Sequence, residues 1–420
     1  MDENDPAGVL RRHGLLIVEQ GGRGGVADYT GFLAAALAGL GIPVTIATAR
    51  DHLFGAIPGV RVVGVFPYVR GHSAAARLVR RAGLGPVANG LRFLAAMPRL
   101  LALSRRHAVT HVQGWEAPSL GLIATLLLRA SGARLIWTAH NTFERRSRGL
   151  DSARVLPALS RETIVHTEAD RDRVSRPPTV IPHGHYGGIA DAVAPVDPGQ
   201  ARVELGLPAD GLVVLLFGVL RPDKGLGDLL AAAADAPPWL VLIAGEDHDG
   251  LASAAQWLAS PRIAGRVTVL EGFQPTDAVA RVFAAADLVA LPYRRASQSG
   301  VLHLAYGFGR IVAAYPVGGL TEAVIPGVTG FICAEATPPA LARVLDEAGA
   351  LGRPELRRLG AATRQWAEQS YDWVQIARDT EAVYLRALSG PGPGVTTARG
   401  GTSGDGGDSP LPEEAPRLRH

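Results

Sequence analysis

Apolar runs of strand length recur along this chain, each followed by a glycine- or proline-bearing turn and then by a stretch of helical character. That alternation restricts the fold to parallel α/β sheets. In the first half Gly14-Leu15-Leu16-Ile17-Val18 reads as a buried strand and Gly21-Gly22-Arg23-Gly24-Gly25 as a turn. Residues 26–40 then read as a helix that Gly41 ends, and residues 43–48 as a second strand. Further strands are expected to end at His111-Val112-Gln113 and at Ala139-His140-Asn141, with an apolar helix over 118–131 between them. Ile164-Val165-His166 and Val180-Ile181 complete this half. Prolines and glycines concentrate over 177–198, the expected hinge. A second unit repeats the logic, with strands at 212–217, 240–244, 267–270, 288–291 and 311–314 and a last helix over 373–388.

A chain of 420 residues, 47% hydrophobic, exceeds what one core usually holds, so two domains are expected. The boundaries read as an N-terminal extension (1–13), an N-terminal Rossmann-like domain (14–190), a C-terminal Rossmann-like domain (191–372) and a helix (373–388) packing back toward the first domain. Residues 389–420, rich in Gly, Pro and Ser, are expected to be a disordered tail. The acidic start and the short apolar runs argue against a signal peptide or a membrane span. The single cysteine, Cys333, fits a reducing compartment. A cytoplasmic protein is the expectation.

The net charge of +3 conceals an asymmetry. Residues 1–190 hold 23 Arg against 13 Asp plus Glu, and the remainder 19 basic against 26 acidic. Between Asp51 and Glu116 there is no acidic residue, while Arg61, Arg70, Arg77, Arg80, Arg81, Arg92, Arg99, Arg105 and Arg106 all fall there. The 61–106 region either solvates helices with arginine or makes peripheral contact with an anionic membrane, at the inner face of the cell membrane in that case. Nucleic acid is disfavoured because the interleaved aromatics of single-strand binders are missing. Of the 42 basic residues one is lysine, Lys224, which is either a position needing a compact ammonium or the chance survival of one lysine.

Four loops follow strands and precede helices, where backbone amides and a helix N-terminus favour anions. Gly24 and Gly25 lie in the first, which lacks the glycine spacing of a dinucleotide fingerprint. The second, from Gly218 to Gly225, carries Arg221 and Lys224, two cations suited to a diphosphate whose negative charge grows as a glycosyl bond breaks. The third, Ser297-Gln298-Ser299-Gly300-Val301, offers hydroxyls and amides, and the fourth ends in Glu322, a carboxylate for ribose or sugar hydroxyls. Glu246, after Gly245, is a candidate lining residue of a nucleotide pocket. Asp247-His248-Asp249 mimics a metal-binding carboxylate pair, but with Lys224 and Arg221 supplying positive charge no metal is expected. His183 and His185 either reach the cleft or cap the hinge turns.

Over roughly residues 14–388 this order of segments resembles the family 4 retaining glycosyltransferases of the GT-B architecture. Gly218 to Gly225 is similar to the family's Gly…Lys-Gly phosphate motif, and Val317-Gly318-Gly319-Leu320-Thr321-Glu322 with Pro326 to Phe331 to its Gly-Gly-x-x-Glu…Asp-Gly-x-x-Gly segment. The resemblance implies two Rossmann-like domains facing each other across a cleft that holds a nucleotide-diphosphate sugar. It implies that Lys224 and Arg221 bind the diphosphate, that Gly24 and Gly25 close over it, and that His140 lies near the reacting sugar. Glycosyl transfer with retention would follow, with no cofactor beyond the sugar nucleotide. The acceptor would be a hydroxyl of a lipid-linked sugar or a small molecule, in cell-surface polysaccharide, glycolipid or secondary-metabolite synthesis.

Two departures stand out. Val219 occupies the place of the family's arginine after the first glycine, leaving the role to Arg221. The family's Glu-x7-Glu pair is replaced by Ala296 and Leu304, so Ser299, Gly300 and Val301 would contact the donor instead. This loss keeps open an alternative, a non-catalytic sugar-nucleotide-binding or partner subunit of the same fold.

Overall fold

The computed structural model describes residues 5–67, 85–115, 117–143, 152–235 and 239–390. Among them a first sheet is built from β1 (Leu15–Glu19), β2 (Val44–Ala49), β3 (Val60–Phe66), β4 (Val109–Gly114), β5 (Leu135–Thr138), β6 (Glu162–Val165) and β7 (Thr179–Val180). Its spatial order is β3-β2-β1-β4-β5-β6-β7, and every pairing is parallel. The second sheet contains β8 (Val213–Phe217), β9 (Leu240–Gly245), β10 (Val267–Glu271), β11 (Leu288–Leu291), β12 (Val312–Ala314) and β13 (Gly330–Ile332), in the order β10-β9-β8-β11-β12-β13, again parallel. In each sheet the strand order reverses beside the first strand of that half. Such a switch point opens a crevice at the carboxyl ends of the strands, where ligands of open α/β sheets bind.

Burial on both faces explains why the strands read as unbroken apolar runs. Leu15 and Ile17 pack with Tyr29, Leu33 and Leu37 of α2 (Gly25–Gly39), while the alternate residues Leu16 and Val18 enter a separate core with α3 (Gly85–Ser104), α4 (Pro118–Ala130) and α5 (Ser152–Leu159). The second sheet is split in the same way. Val214, Leu216, Val241 and Ile243 pack with α6 (Leu226–Asp235) and α9 (Pro338–Ala350), and Val213, Leu215 and Leu242 with α7 (Thr276–Ala285) and α8 (Gly300–Gly307).

After α10 (Gly352–Ser370) the chain returns to the first half through α11 (Trp373–Ser389). Trp373 stacks on Phe32 of α2, and the Tyr384 hydroxyl is 2.8 Å from His111 Nδ1 on β4. Residues 6–13, set apart in the sequence as an extension, form a helix, α1 (Pro6–His13), which Arg11 pairs with Glu381 of α11. The two crossings between the halves lie side by side: His185 N donates to Tyr371 O and Trp373 Nε1 to His185 O. The expected tail beyond Gly390, and Arg70, Arg77, Arg80 and Arg81, lie outside the described residues.

Candidate active site

Both switch points carry the loops singled out in the sequence. In the first half Glu19, the last residue of β1, accepts hydrogen bonds from Gly21 N, Gly22 N and Thr48 Oγ1 at 2.7–2.9 Å, which folds the glycine loop over the strand end. Gly24 has φ +79, and a Cβ placed on Gly24 or Gly25 would meet nothing within 4 Å. The start of α2 thus borders open space, as an anion-receiving helix N-terminus requires. Across the cleft Tyr186 donates its hydroxyl to Gly25 O at 2.8 Å, and its ring lies against Gly300. One linker residue therefore ties the α2 loop to the start of α8.

In the second half three loops meet so closely that only glycine fits. A Cβ on Gly245 would lie 1.7 Å from Gly218 O, one on Gly225 1.9 Å from Pro292 O, and one on Gly218 3.2 Å from Val301 Cγ2. All three glycines have positive φ. This places Gly218, Val301 and the Lys224 turn at one edge of the sheet. Lys224 holds its ammonium 3.6 Å above the Tyr293 ring, a cation–π contact, and burial with the neighbouring Arg221 charge brings its pKa down to about 8. Arg221 is committed to a two-point ion pair with Asp223, at 2.9 and 2.8 Å. Glu246 is exposed beside His248, and Leu220 N donates to its carbonyl. Asp247 accepts from Leu251 N and so caps a helical turn. Among the described residues no group of three or more His, Cys, Asp or Glu side chains is gathered as a metal site.

Ser299 caps α8 by accepting from Leu302 N, which aims the N-terminus of that helix, at Gly300, into the cleft. Ser297 reaches the other half: its Oγ accepts from Thr142 N at 2.8 Å and lies 2.9 Å from Thr142 Oγ1, which in turn donates to Asp170. Glu322 also crosses, with each carboxylate oxygen accepting a backbone amide, from Glu168 and Ala169, at 2.8 Å. Ala296 and Leu304, where the resembled family has glutamates, are both buried.

His140 sits at the end of β5, edge-on to Tyr29. Its Nε2 lies 2.7 Å from Gln113 Oε1 and its Nδ1 3.0 Å from His166 Nε2. His166 Nδ1 in turn lies 3.0 Å from Ile181 O, so the two imidazoles are anchored between β5 and the linker. Burial, reinforced by His166 and His111, holds the His140 pKa well below 6.5, so the imidazole is neutral at physiological pH. Both its ring nitrogens are engaged within the protein.

Residues that local sequence patterns did not single out join those that they did. A cavity of about 180 Å³ between the halves is bordered by His166, His183, Gln298, Ser299, His303 and Glu322. His183, which the sequence left between cleft and hinge, stacks on His303 with ring centres 4.6 Å apart. His185 accepts from Gly187 N in the linker. Gln298 Oε1 and His303 Nδ1 are buried with no hydrogen-bond partner among the described residues. Tyr186, Thr142, Asp170 and His303 come from segments far apart in the chain, and no periodicity or spacing connects them.

Residues 24–175 match a family model described as a glycosyl transferase 4-like domain, and residues 211–348 one described as glycosyl transferases group 1. The chain is 35% identical over 219 residues to a D-inositol 3-phosphate glycosyltransferase of Mycobacterium leprae, covering 50% of each chain. It is equally similar over 216 residues to the Mycobacterium tuberculosis protein of that name, covering 49% of this chain and 43% of the other. It thus spans about half the length of the curated relatives it matches. Anabaena Alr3699/HepE, solved with UDP and glucose, superimposes with a TM-score of 0.66 at 21% identity, over 88% of this chain and 98% of that one. Sucrose-phosphate synthase of Thermosynechococcus elongatus gives 0.69 at 21% identity over 90% and 99%. WaaG, a glycosyltransferase involved in lipopolysaccharide biosynthesis, gives 0.59 at 17% over 90% and 100%. Each half thus matches a glycosyl transferase domain model, and the two are assembled in the GT-B fold of these solved structures.

Proposed function

We propose that the protein transfers a glycosyl group from a nucleotide-diphosphate sugar to an acceptor hydroxyl with retention of anomeric configuration. One observation carries this reading: Lys224 and Arg221 stand at the switch point of the second sheet, while the open backbone of Gly24 and Gly25 begins α2 at that of the first. The diphosphate would draw Arg221 away from Asp223 and meet the Lys224 ammonium, supported by the N-terminus of α8. As the bond from the anomeric carbon to the diphosphate oxygen breaks, these charges stabilise the leaving group without a metal. The acceptor oxygen then bonds to the same face of that carbon, and its proton passes to the departing phosphate. His140, neutral and fixed by Gln113 and His166, positions the β5 end beside the sugar. Glu246 would border the nucleotide, and Ser299, Gly300, Val301 and Glu322 the donor's hydroxyls. The UDP-glucose complex of Alr3699/HepE supports the donor class. We place the protein in the cytoplasm, acting on a lipid-linked sugar or a small molecule in polysaccharide, glycolipid or secondary-metabolite synthesis.

Thermal unfolding with UDP, GDP, ADP and dTDP tests this, because a ligand that binds only the folded chain raises the midpoint. One nucleotide is expected to stabilise the natural protein and not Lys224→Ala. If none stabilises either, the buried Ala296 and Leu304 outweigh the phosphate loops, and a non-catalytic subunit of the same fold becomes the better reading.

A further inference from the structure

The helices α3 and α4 pack on the same face of the first sheet. Phe93, Met97 and Leu100 of α3 and Ala124 and Leu128 of α4 enter one core, so the outer sides of both helices face the same way. Those outer sides are apolar where a solvated helix would be polar. On α3 the exposed residues include Val87, Leu91 and Leu94, spaced i, i+4, i+7, and on α4 Ile123, Leu126 and Leu127. Leu91 is 65% exposed and Leu126 46%. Exposed leucines scattered singly need no explanation, whereas six large apolar side chains on two packed helices form a patch that marks an interaction site.

Charge identifies the occupant. Residues 52–143 contain 11 Arg and one acidic residue, Glu116. Of these arginines, Arg92, Arg99, Arg105 and Arg106 are exposed on α3 or just after it and form no ion pair among the described residues. Among the described residues no helix is long and apolar enough to cross a membrane. An apolar patch on helices that cannot span a bilayer, beside arginines that form no ion pair among the described residues, matches a layer with acyl chains beneath and phosphates at its rim. Arginine stems are long enough to cover apolar surface while their heads stay at phosphate level. A protein partner would have to supply both an apolar surface and a row of carboxylates, and a second copy of this patch would set arginine against arginine.

We propose that the α3–α4 face docks on an anionic lipid bilayer, with the Val87, Leu91, Leu94, Ile123, Leu126 and Leu127 side chains at the acyl boundary and the surrounding arginines on lipid phosphates. The proposal extends the transfer reading only by favouring an acceptor held at a membrane. It is tested without donor, so its failure leaves the nucleotide result untouched.

Flotation of the full chain with vesicles of phosphatidylcholine alone, and of phosphatidylcholine with about one-third phosphatidylglycerol, is the experiment. Binding is expected to the anionic vesicles, at least tenfold weaker to the neutral ones, and weakened by high salt. The double substitution Leu91→Asp with Leu126→Asp, both exposed and so tolerated by the fold, should cut binding at least tenfold while leaving the thermal midpoint in place. Arg92→Glu with Arg99→Glu should do the same, whereas Arg358→Glu, on α10 of the other half, should not. No binding to anionic vesicles overturns the proposal, as does binding that the α3–α4 substitutions leave unchanged. A concentration-dependent dimer in sedimentation that Leu91→Asp with Leu126→Asp abolishes would assign the face to a second copy and equally overturn it.

Discussion

Lys224 shows most directly how one residue would couple the fold to the proposed chemistry. Its ammonium is held over the Tyr293 face with a pKa near 8, so in the free protein it is charged at neutrality and loses its proton as the pH passes 8. A bound diphosphate favours the charged form and raises that pKa again. Nucleotide affinity should therefore be level up to about pH 8 and then fall by up to about tenfold per pH unit until the pKa of the complex is reached, with protons taken up on binding near pH 8. Calorimetric titration in buffers of different ionisation enthalpy measures both, and Lys224→Ala should remove this dependence. An affinity that stays level to pH 10 would show that Lys224 does not touch the phosphate. The sequence made this residue conspicuous, because a chain with 41 arginines keeps a lysine only here. By contrast His303 carried no local signal. It became a wall of the interdomain cavity because the linker places His183 against it, a contact between residues 120 positions apart in the chain.

At the scale of elements the strand-to-helix loops were legible because a buried parallel strand, a glycine and a helix start leave a local pattern. Predicted strands and helices fall within about two residues of those observed. The two strands missed share a cause: β3 has only Val63, Val65 and Phe66 buried, and β13 is three residues long, so neither gives a sustained apolar run; the helices α3, α5, α7, α9 and α10 were not placed either. The cross-cleft bonds were invisible for another reason. Ser297 meets Thr142 and Glu322 meets Glu168 and Ala169 over separations of more than 150 residues, which no period encodes. The glycine contacts at the second sheet edge give a sharp prediction. Gly245→Ala forces a Cβ to within 1.7 Å of Gly218 O at φ +152, so the β8 and β9 loops must separate. A loss of at least about 2 kcal/mol in stability is expected in denaturant unfolding, together with weaker nucleotide binding. Unchanged binding would place the nucleotide away from Gly218.

Seen as a whole molecule, the two halves are held by hydrogen bonds that close the cleft from either side of the linker. Tyr186 to Gly25 O, Ser297 to Thr142 and Glu322 to the Glu168 and Ala169 amides are each worth about 1 kcal/mol, or more where the acceptor is charged. Removing two of the three with Ser297→Ala and Glu322→Ala should let the halves part. The expected result is a larger radius of gyration in small-angle scattering without nucleotide, with the thermal midpoint lowered by a few degrees at most. An unchanged radius would mean that the apolar contacts around Trp373 set the closure by themselves.

Because the linker and the turn into α11 cross between the halves next to each other, bonded through His185, Tyr371 and Trp373, they act as two pins on a common axis. Two such crossings restrain twist and slide and leave a door-like swing about the linker as the easiest motion. The glycine loop of α2 and the lysine turn of the second sheet would then meet along one fixed arc, so every closing stroke would deliver the same alignment, and a search through many approach angles would be replaced by a search through one.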